Sequence, residues 1–348
     1  MASLKQIAER AGVSVPTVSR LLAGVGYVSE DAAARIRESI RELGYTSRAV
    51  RPGPKPKNLR GIRTGNIALV SLDEVSPEEM LRMPAFPSLL GGIQNALSQQ
   101  GLALVLAHVH EGKVPSVLHR NRVDGVLIMG GAAPLHPRLR HALLQLPAVW
   151  CFRRHADPLG EFDHVFYDNA RVGDLAADYF LARGLRRLAF LTPRATHAAY
   201  AQRRERFIAA GEAGGGSVRV FQAESSDLVT DSAHVERLVG ELLADGPLPE
   251  GLFVPADHDL LETFQALNRR GVKPQRDVLL LGCNADPQFI TRMSPRPATI
   301  TIQSETVGRR AVEQLLWRVA NRSDAGRMET FIMPAILEGE SAAEKAEA

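Results

Sequence analysis

Apolar residues recur at helical spacing in short segments near the amino terminus. One segment predicts a helix over Leu4–Ala11, because Ser3 before it is a preferred N-cap residue. The next predicts a helix over Val15–Leu22, preceded by the capping residue Ser14. A third helix is expected to begin near Ser29. Together these segments predict a small all-α domain.

Beyond residue 65, short apolar runs alternate with helical patterns. The predicted strands are Ile67–Leu72, Ala103–Ala107, Gly125–Met129, Ala148–Phe152, Val165–Tyr167, Leu188–Leu191, Val218–Phe221, Gly251–Pro255, Val278–Gly282 and Thr299–Gln303. Alternation of strands and helices is typical of parallel sheets covered on both faces. Ten strands are more than a single doubly wound sheet usually contains. We therefore expect an α/β core of two Rossmann-like subdomains with a cleft between them.

Between these regions the composition changes, because prolines alternate with basic residues and acids are absent from residues 46–65. This stretch is expected to be an extended linker. The predicted organisation is a helical domain over 1–46, a basic proline-rich linker over 47–65, a core over 66–338 and a flexible tail over 339–348. We assign about 66–165 plus 299–325 to the first core subdomain, and about 166–298 plus 326–338 to the second.

The composition is that of an ordinary globular protein, with 348 residues of which 45% are hydrophobic and 23% charged. No apolar run reaches the ~18 residues of a membrane span, and the amino terminus lacks a secretory signal. We therefore expect a cytoplasmic protein without a membrane partner. Cys151 and Cys283 each lie in an apolar segment without metal-ligand spacing, so they are interpreted as buried free thiols and no cofactor is expected.

Positive charge is concentrated at the amino terminus. Residues 1–66 contain twelve Lys or Arg and five Asp or Glu, a net charge of +7, whereas the whole chain carries only +3. A basic region joined to a mildly acidic body indicates a polyanionic partner at one end of the molecule.

The segment LKQIAERAGVSVPTVSRLLAG combines a helix, a tight turn at Gly12–Ser14 and a second helix. This is the pattern of a helix-turn-helix, whose second helix enters the major groove of DNA. Its candidate DNA-binding side chains are Ser14, Val15, Pro16, Thr17, Ser19 and Arg20. The hydroxyl groups can bind phosphates or bases, and Arg20 can bind guanine or a phosphate. The alternative is a generic three-helix bundle with a polar face.

Several segments resemble the LacI/GalR family of bacterial transcription regulators. They are IAERAGVSVPTVSRLL, VSEDAAARIRESIRELGY, VDGVLIMGG, YDNARVGDLAADYFLARG, RRLAFLT, DVLLLGCN and GRRAVEQLL. The resemblance implies a homodimer that binds a near-palindromic double-stranded DNA operator. It also implies a periplasmic-binding-protein-like core whose cleft takes a small-molecule effector, often a sugar or a nucleobase derivative. Repression is the expectation for the family.

The chain departs from the family pattern in its headpiece and linker. Val15 and Pro16 occupy the main base-reading positions but cannot form bidentate hydrogen bonds, so base reading there would be apolar. The resemblance implies a hinge helix with a minor-groove leucine, here Leu59, but prolines forbid a regular helix just before it. We hypothesise that the segment RPGPKPK lies extended in the minor groove, with Arg51, Lys55 and Lys57 along it, and Arg48 just before it is a further candidate DNA contact. The alternative is a solvated basic spacer.

The resemblance also implies effector contacts. The candidates are Phe86, Arg153, Arg171, Arg203, Asp257 and Asn284. Phe86 could stack on a ring, the arginines could bind hydroxyl groups, and Asp257 could accept two hydroxyl protons. Asn284 replaces the usual aspartate, so an acceptor is kept and a charge is lost. The alternative for each candidate is a role in the subdomain interface.

Other classes of protein remain alternatives. Motifs for P-loop nucleotide binding and for a nucleophile elbow are absent from the sequence, so an enzyme is not expected. Open alternatives are a cytosolic solute-binding protein with a degenerate headpiece, a regulator without an effector, and a sugar-modifying enzyme. The favoured interpretation is an effector-responsive repressor.

Overall fold

The computed structural model describes residues 3–23, 28–43, 45, 59–72, 80, 83, 85–109, 113–119, 122–130, 135–152, 160–224 and 232–340. The chain forms two compact units, residues 1–54 and residues 55–348. In the described part of the chain, no helix is long and apolar enough to cross a membrane.

The first unit packs its helices around a small apolar core. They are α1 (Leu4–Ala11), α2 (Val15–Ala23) and α3 (Glu30–Glu42). Ser3 caps α1 as predicted, because its Oγ accepts a hydrogen bond from the Gln6 N–H at 3.3 Å while Gln6 Oε1 accepts the Ser3 N–H at 2.8 Å. Gly12 ends α1 with a φ of 63°, in the left-handed region that favours glycine. The buried side chains are Ile7, Ala8, Ala11, Val18 and Ile36.

The second unit alternates strands and helices. Its strands are β1 (Asn66–Leu72), β2 (Ala103–His108), β3 (Gly125–Gly130), β4 (Ala148–Cys151), β5 (Asp163–Tyr167), β6 (Arg187–Thr192), β7 (Ser217–Gln222), β8 (Gly251–Phe253), β9 (Leu279–Cys283), β10 (Ala298–Thr301), β11 (Glu329–Ile332) and β12 (Ala335–Leu337). Its α-helices are α4 (Phe86–Gln99), α5 (Pro137–Leu144), α6 (Asn169–Leu181), α7 (Ala198–Ala213), α8 (Ser232–Ala244), α9 (Asp257–Arg269), α10 (Pro287–Ile290) and α11 (Ser304–Ala320). A short 3-10 helix spans Ser116–Leu118.

These strands form two six-stranded sheets. The first has the order β11-β5-β4-β3-β1-β2, and the second has the order β12-β10-β9-β8-β6-β7. Neighbouring strands are parallel except for β10 and β12, which are antiparallel. Each sheet therefore has an amino end, where its parallel strands begin, and a carboxyl end, where they finish. The predicted parallel α/β core of two subdomains is confirmed.

The predicted division of the core between the subdomains needs correction. Residues 299–301 were assigned to the first subdomain, but β10 pairs with β9 in the second sheet. Residues 329–332 were assigned to the second subdomain, but β11 pairs with β5 in the first sheet. The chain therefore passes from the second subdomain to the first between β10 and α11, and returns to the second between β11 and β12. The last two strands have only four and three residues, too few to show a hydrophobic alternation.

The ends of the predicted core also differ from expectation. The predicted linker extends to residue 65, but Leu59 packs against the core of the first subdomain and residues 63–65 are held by hydrogen bonds to Asp124. At the other end, Glu340 of the predicted flexible tail donates its N–H to the Arg296 carbonyl oxygen at 2.9 Å. The remainder of the predicted tail, residues 341–348, lies outside the described residues.

Both cysteines are buried and free, as predicted for Cys151 and Cys283. Burial raises the pKa of Cys151 to about 12 and that of Cys283 to about 11. These thiols are therefore protonated at neutral pH and contribute apolar packing rather than nucleophilic chemistry.

Close packing of α4 against α11 gives a test of the fold. A Cβ atom at Gly308 would lie 2.4 Å from the Leu89 carbonyl oxygen, whereas at Gly240 in α8 a Cβ atom meets nothing within 4 Å. We expect Gly308→Ala to lower the unfolding free energy by about 1–3 kcal/mol through overpacking. The matched control Gly240→Ala should raise it by up to about 1 kcal/mol through helix propensity. Denaturant unfolding measures both, and equal effects of the two substitutions would contradict the packing.

Candidate nucleic-acid interface and effector site

The turn between α1 and α2 is fixed by local hydrogen bonds. Ser14 begins the second helix, and its Oγ accepts the Thr17 N–H at 3.3 Å. The hydroxyl groups of Ser14 and Thr17 also share a hydrogen bond of 2.8 Å. Thr17 is half-buried, so its hydroxyl group is oriented by the turn. The helix-turn-helix geometry expected from the sequence is present.

The exposed face of α2 carries the side chains predicted to contact DNA. Val18 is fully buried against α1, whereas Val15, Pro16, Ser19 and Arg20 are exposed. Positions four apart lie on one face of a helix, so Val15 lies beside Ser19 and Pro16 lies beside Arg20. Arg20 forms no ion pair or hydrogen bond with the described residues. This face therefore offers an arginine, a hydroxyl group and an apolar patch for contact with a duplex.

The candidate DNA contacts of the linker divide into two groups. Arg48, Arg51, Lys55 and Lys57 lie outside the described residues, so the minor-groove hypothesis stays a prediction. Leu59 is described and packs, half-buried, against the hydrophobic core of the first subdomain. Its predicted insertion into the minor groove would require it to leave this core. Burial in the core is favourable for an apolar side chain when no DNA is bound.

Asp124 anchors the end of the linker to the first sheet. Its carboxylate accepts backbone N–H bonds from Arg63 at 2.8 Å, from Thr64 at 2.9 Å and from Gly65 at 2.7 Å. The Thr64 hydroxyl group donates a further bond of 2.9 Å. Asp124 is 1% exposed and immediately precedes β3. The chain that leads to the headpiece is therefore fixed at the amino end of the first sheet.

Polar groups gather around Arg203 near the carboxyl ends of β5, β8 and β9. Its guanidinium donates to Asn169 Oδ1 at 2.9 Å, to the Tyr167 hydroxyl oxygen at 3.1 Å and to Asn284 Oδ1 at 3.5 Å. A further bond goes to the Pro255 carbonyl oxygen. Arg203 is 1% exposed, and all these acceptors are neutral. No ion pair involving Arg203 occurs among the described residues.

Asp257 is buried beside this cluster. It is 0% exposed, and its carboxylate accepts the Asp286 N–H and the Thr299 hydroxyl group, each at 2.8 Å. Burial raises the pKa of Asp257 to about 7, although these hydrogen bonds favour the charged form. The carboxylate thus positions the segment after β9, and the predicted contact with a ligand would require its displacement from these partners.

A buried ion pair joins Arg194 to Asp259, two residues after Asp257. One nitrogen of Arg194 donates to both carboxylate oxygens of Asp259, at 2.6 and 2.8 Å. His258 Nε2 lies 3.3 Å from Asp259 Oδ1. Burial lowers the pKa of His258, so the imidazole is neutral at physiological pH. The positive charge of Arg194 is therefore compensated, unlike that of Arg203.

The structure separates the remaining effector candidates. Asn284 lies in the Arg203 cluster, with a φ of 106°. Phe86 is 2% exposed within the core of the first subdomain, so stacking on a ligand would require that core to open. Arg171 is half-exposed, and its guanidinium lies 3.7 Å from the Asp178 carboxylate. Arg153 lies outside the described residues.

Sequence reasoning missed several members of this polar group. They are Tyr167, Asn169, Arg194, Pro255 and Asp259. Most of them follow directly after β5, β6 or β8. Ligands in open α/β sheets bind outside the carboxyl ends of strands, so position after a predicted strand was a usable signal.

Comparison with known proteins agrees with this two-part architecture. Residues 3–47 match the model of bacterial regulatory proteins, lacI family, and residues 177–342 match the periplasmic binding protein-like domain. The chain is 30% identical over 336 residues to the HTH-type transcriptional regulator GntR of Pseudomonas aeruginosa, covering 92% of this chain and 90% of that protein.

Solved structures share the fold over nearly the whole chain. A transcriptional regulator CelR–cellobiose complex aligns with a TM-score of 0.65 at 22% identity, covering 98% of this chain and 100% of that one. The lac repressor dimer bound to operator and the anti-inducer ONPF aligns with a TM-score of 0.65 at 18% identity, covering 98% of both chains.

The helix-turn-helix unit and the two-sheet core together define a DNA-binding regulator whose core has the periplasmic-binding-protein-like fold. The chain belongs to the LacI family of bacterial transcription regulators. The resemblance found in the sequence is confirmed.

The raised pKa of Asp257 predicts a pH dependence. An acid whose pKa rises on folding, here from 3.8 to about 7, binds more protons when folded between those pH values. Its contribution to the unfolding free energy therefore falls as the pH rises through this window. We expect the wild type to lose thermal stability relative to Asp257→Asn from about pH 4 to about pH 7.

The control for this comparison is Glu205→Gln, which removes a carboxylate that is 69% exposed. Its melting temperature should follow that of the wild type across the same window. A constant difference between wild type and Asp257→Asn at every pH would show that the Asp257 carboxyl group does not titrate there.

Proposed function

We propose that this protein is a dimeric, operator-binding repressor whose DNA affinity is set by a small polar effector bound between the core subdomains. The observation that carries the proposal is the exposed face of α2, with Arg20 beside Pro16 on a helix held by a capped turn. In the family, such helices from two subunits would enter successive major grooves of a near-palindromic site. The cytoplasm is the expected location, because bacterial operators lie there.

In this proposal, effector binding and operator binding are coupled through the first sheet, which connects the amino and carboxyl ends of the first subdomain. Asp124 holds the linker at the amino end of its sheet, while Tyr167 at the carboxyl end of β5 contacts Arg203. A ligand that moves the second subdomain relative to Tyr167 would therefore act on the sheet that anchors the linker. A tenfold change in operator affinity needs a differential binding free energy of only about 1.4 kcal/mol.

The charge around Arg203 indicates the class of effector. A buried guanidinium without a carboxylate partner is costly, because neutral acceptors replace only part of its hydration. Asn284, which stands in the place of the family aspartate, leaves that charge uncompensated. An effector with a carboxylate group would supply the missing charge. We therefore favour a sugar acid over a neutral sugar; the solved CelR relative contains the neutral sugar cellobiose.

An enzymatic role is less favoured. The relative from Pseudomonas aeruginosa is named as a transcriptional regulator, and the polar groups around Arg203 are hydrogen-bonded to one another. The stronger competitor is a solute-binding protein whose headpiece does not read sequence, because Val15 and Pro16 cannot form bidentate hydrogen bonds with bases. Binding measurements on α2 variants separate it from the proposal.

Substitution of Arg20 tests the role of α2. We expect Arg20→Ala to weaken binding to a site selected from random DNA by about 1–3 kcal/mol, because one base or phosphate contact is lost. Arg37→Ala is the matched control, since Arg37 is exposed on α3 and carries the same charge. Fluorescence anisotropy with labelled duplexes measures both. Equal losses for the two variants, on selected and random DNA alike, would favour the solute-binding protein.

Substitution of Asn284 tests the class of effector. Asn284→Asp would place a carboxylate against Arg203, so we expect it to weaken binding of aldonates and to spare or strengthen binding of the matching aldoses. Asn268→Asp, at an exposed position of α9, introduces the same charge elsewhere. Isothermal titration with aldonate and aldose pairs of equal carbon number gives the ratio of affinities. A ratio that Asn284→Asp leaves unchanged would contradict an acidic effector at Arg203.

A further inference from the structure

The amino end of the first sheet carries a group of arginines that neither the headpiece nor the effector site uses. Its members are Arg60, Arg63, Arg122, Arg322 and Arg327, named here the basic end. Each is exposed, and none forms an ion pair with the described residues. The group borders the amino ends of β1, β3 and β5.

The acids nearby compensate little of this charge. Asp124 is 1% exposed and accepts the backbone N–H groups of residues 63–65. Asp163 is 1% exposed and forms a bidentate ion pair with the buried Arg318. Glu161 pairs with Arg140. Among the described residues, Asp324 and Glu329 present exposed carboxylates at this end, and Asp324 accepts the Gly326 N–H at 2.8 Å.

Two members of the basic end, Arg322 and Arg327, line a notch of about 150 Å³ together with Arg318, Glu161 and Asp163. Arg318 is committed to Asp163 and to two carbonyl oxygens. Arg322 donates one bond to the Asp124 carbonyl oxygen at 3.2 Å, and Arg327 donates one to the Glu161 carbonyl oxygen at 2.7 Å. A guanidinium has five N–H donors. Both arginines therefore keep several donors for an anion.

The position of the basic end identifies the anion. The linker joins the core here, because residues 63–65 donate backbone N–H groups to Asp124 and Gly61 approaches the Val319 carbonyl oxygen at the end of α11. The far end of that linker carries the DNA-binding unit. Duplex DNA held by the headpiece is thus the polyanion tethered to this end of the core, and its phosphates bind arginine through paired N–H donors.

We infer that the basic end, through Arg322 and Arg327, binds phosphodiester groups of the DNA that the headpiece holds. This inference rests on the proposed function, since it requires the chain to bind duplex DNA. The contacts would add sequence-independent affinity and would be sensitive to salt. They would also join the DNA backbone to Asp124 through the Arg322 hydrogen bond, so that DNA and linker share one anchoring point.

The test uses the full chain with Arg322→Gln and Arg327→Gln combined. The matched control combines Arg292→Gln and Arg296→Gln, two exposed arginines of the second subdomain. Dissociation constants are measured over a series of salt concentrations for a selected operator and for a duplex of random sequence. Each lost phosphate contact should reduce the slope of log affinity against log salt by about 0.9. We expect this reduction on both duplexes for the first variant, and an unchanged slope for the control.

An unchanged slope for the Arg322 and Arg327 variant, with a melting temperature equal to that of the wild type, would overturn the inference. So would equal reductions by variant and control, which would indicate a loss of general positive charge. Inorganic phosphate is a further probe: if it raises the melting temperature of the wild type alone while the DNA slopes stay equal, the notch binds a free anion instead. Failure of the proposed function is distinguishable, because the selected operator and random DNA would then bind with equal affinity.

Discussion

The common direction of the strands in the first sheet is the constraint on which the rest of the molecule depends. Because parallel strands begin together and finish together, their loops fall into two separate groups at the two ends of a sheet. The first subdomain uses both groups. Asp124 at its amino end fixes the linker, while Tyr167 at its carboxyl end meets Arg203. Under the proposed function, this sheet joins the DNA side of the core to the ligand side.

Charge compensation distinguishes two buried arginines, Arg194 and Arg203, near the carboxyl ends of the strands. Arg194 pairs with the Asp259 carboxylate, so that charge pair is complete within the protein. Arg203 is surrounded by amide, hydroxyl and carbonyl oxygens, which orient the guanidinium without neutralising it. Among the described residues, Arg203 therefore lacks the carboxylate partner that Arg194 has. This difference, rather than the number of polar groups, is what favours an acidic effector.

Much of the fold was predictable from the sequence because its signals are local. Capping at Ser3, the left-handed turn at Gly12 and the helical spacing that follows define the headpiece within a few residues. The apolar runs of the buried parallel strands likewise stand out. The crossings between subdomains were not predictable, since the pairing of β11 with β5 depends on residues that are far apart in the chain.

The candidate site was predicted less well, because residue type does not reveal exposure. Phe86 and Asp257 have suitable chemistry for a ligand, yet one packs in a hydrophobic core and the other accepts hydrogen bonds from Thr299 and Asp286. Leu59 similarly lies against the core of the first subdomain. Arg203 and Asn284, in contrast, lie within hydrogen-bond distance of each other. Long-range packing decided each of these outcomes.

Selection of bound sites from a pool of random duplexes by the full chain tests the central claim most directly. The account predicts enrichment of one near-palindromic sequence, with half-sites about one helical turn or a multiple of it apart, and a change in its occupancy when the matching sugar acid is added. A pool that stays unenriched in any symmetric sequence at moderate salt, despite measurable binding, would contradict it.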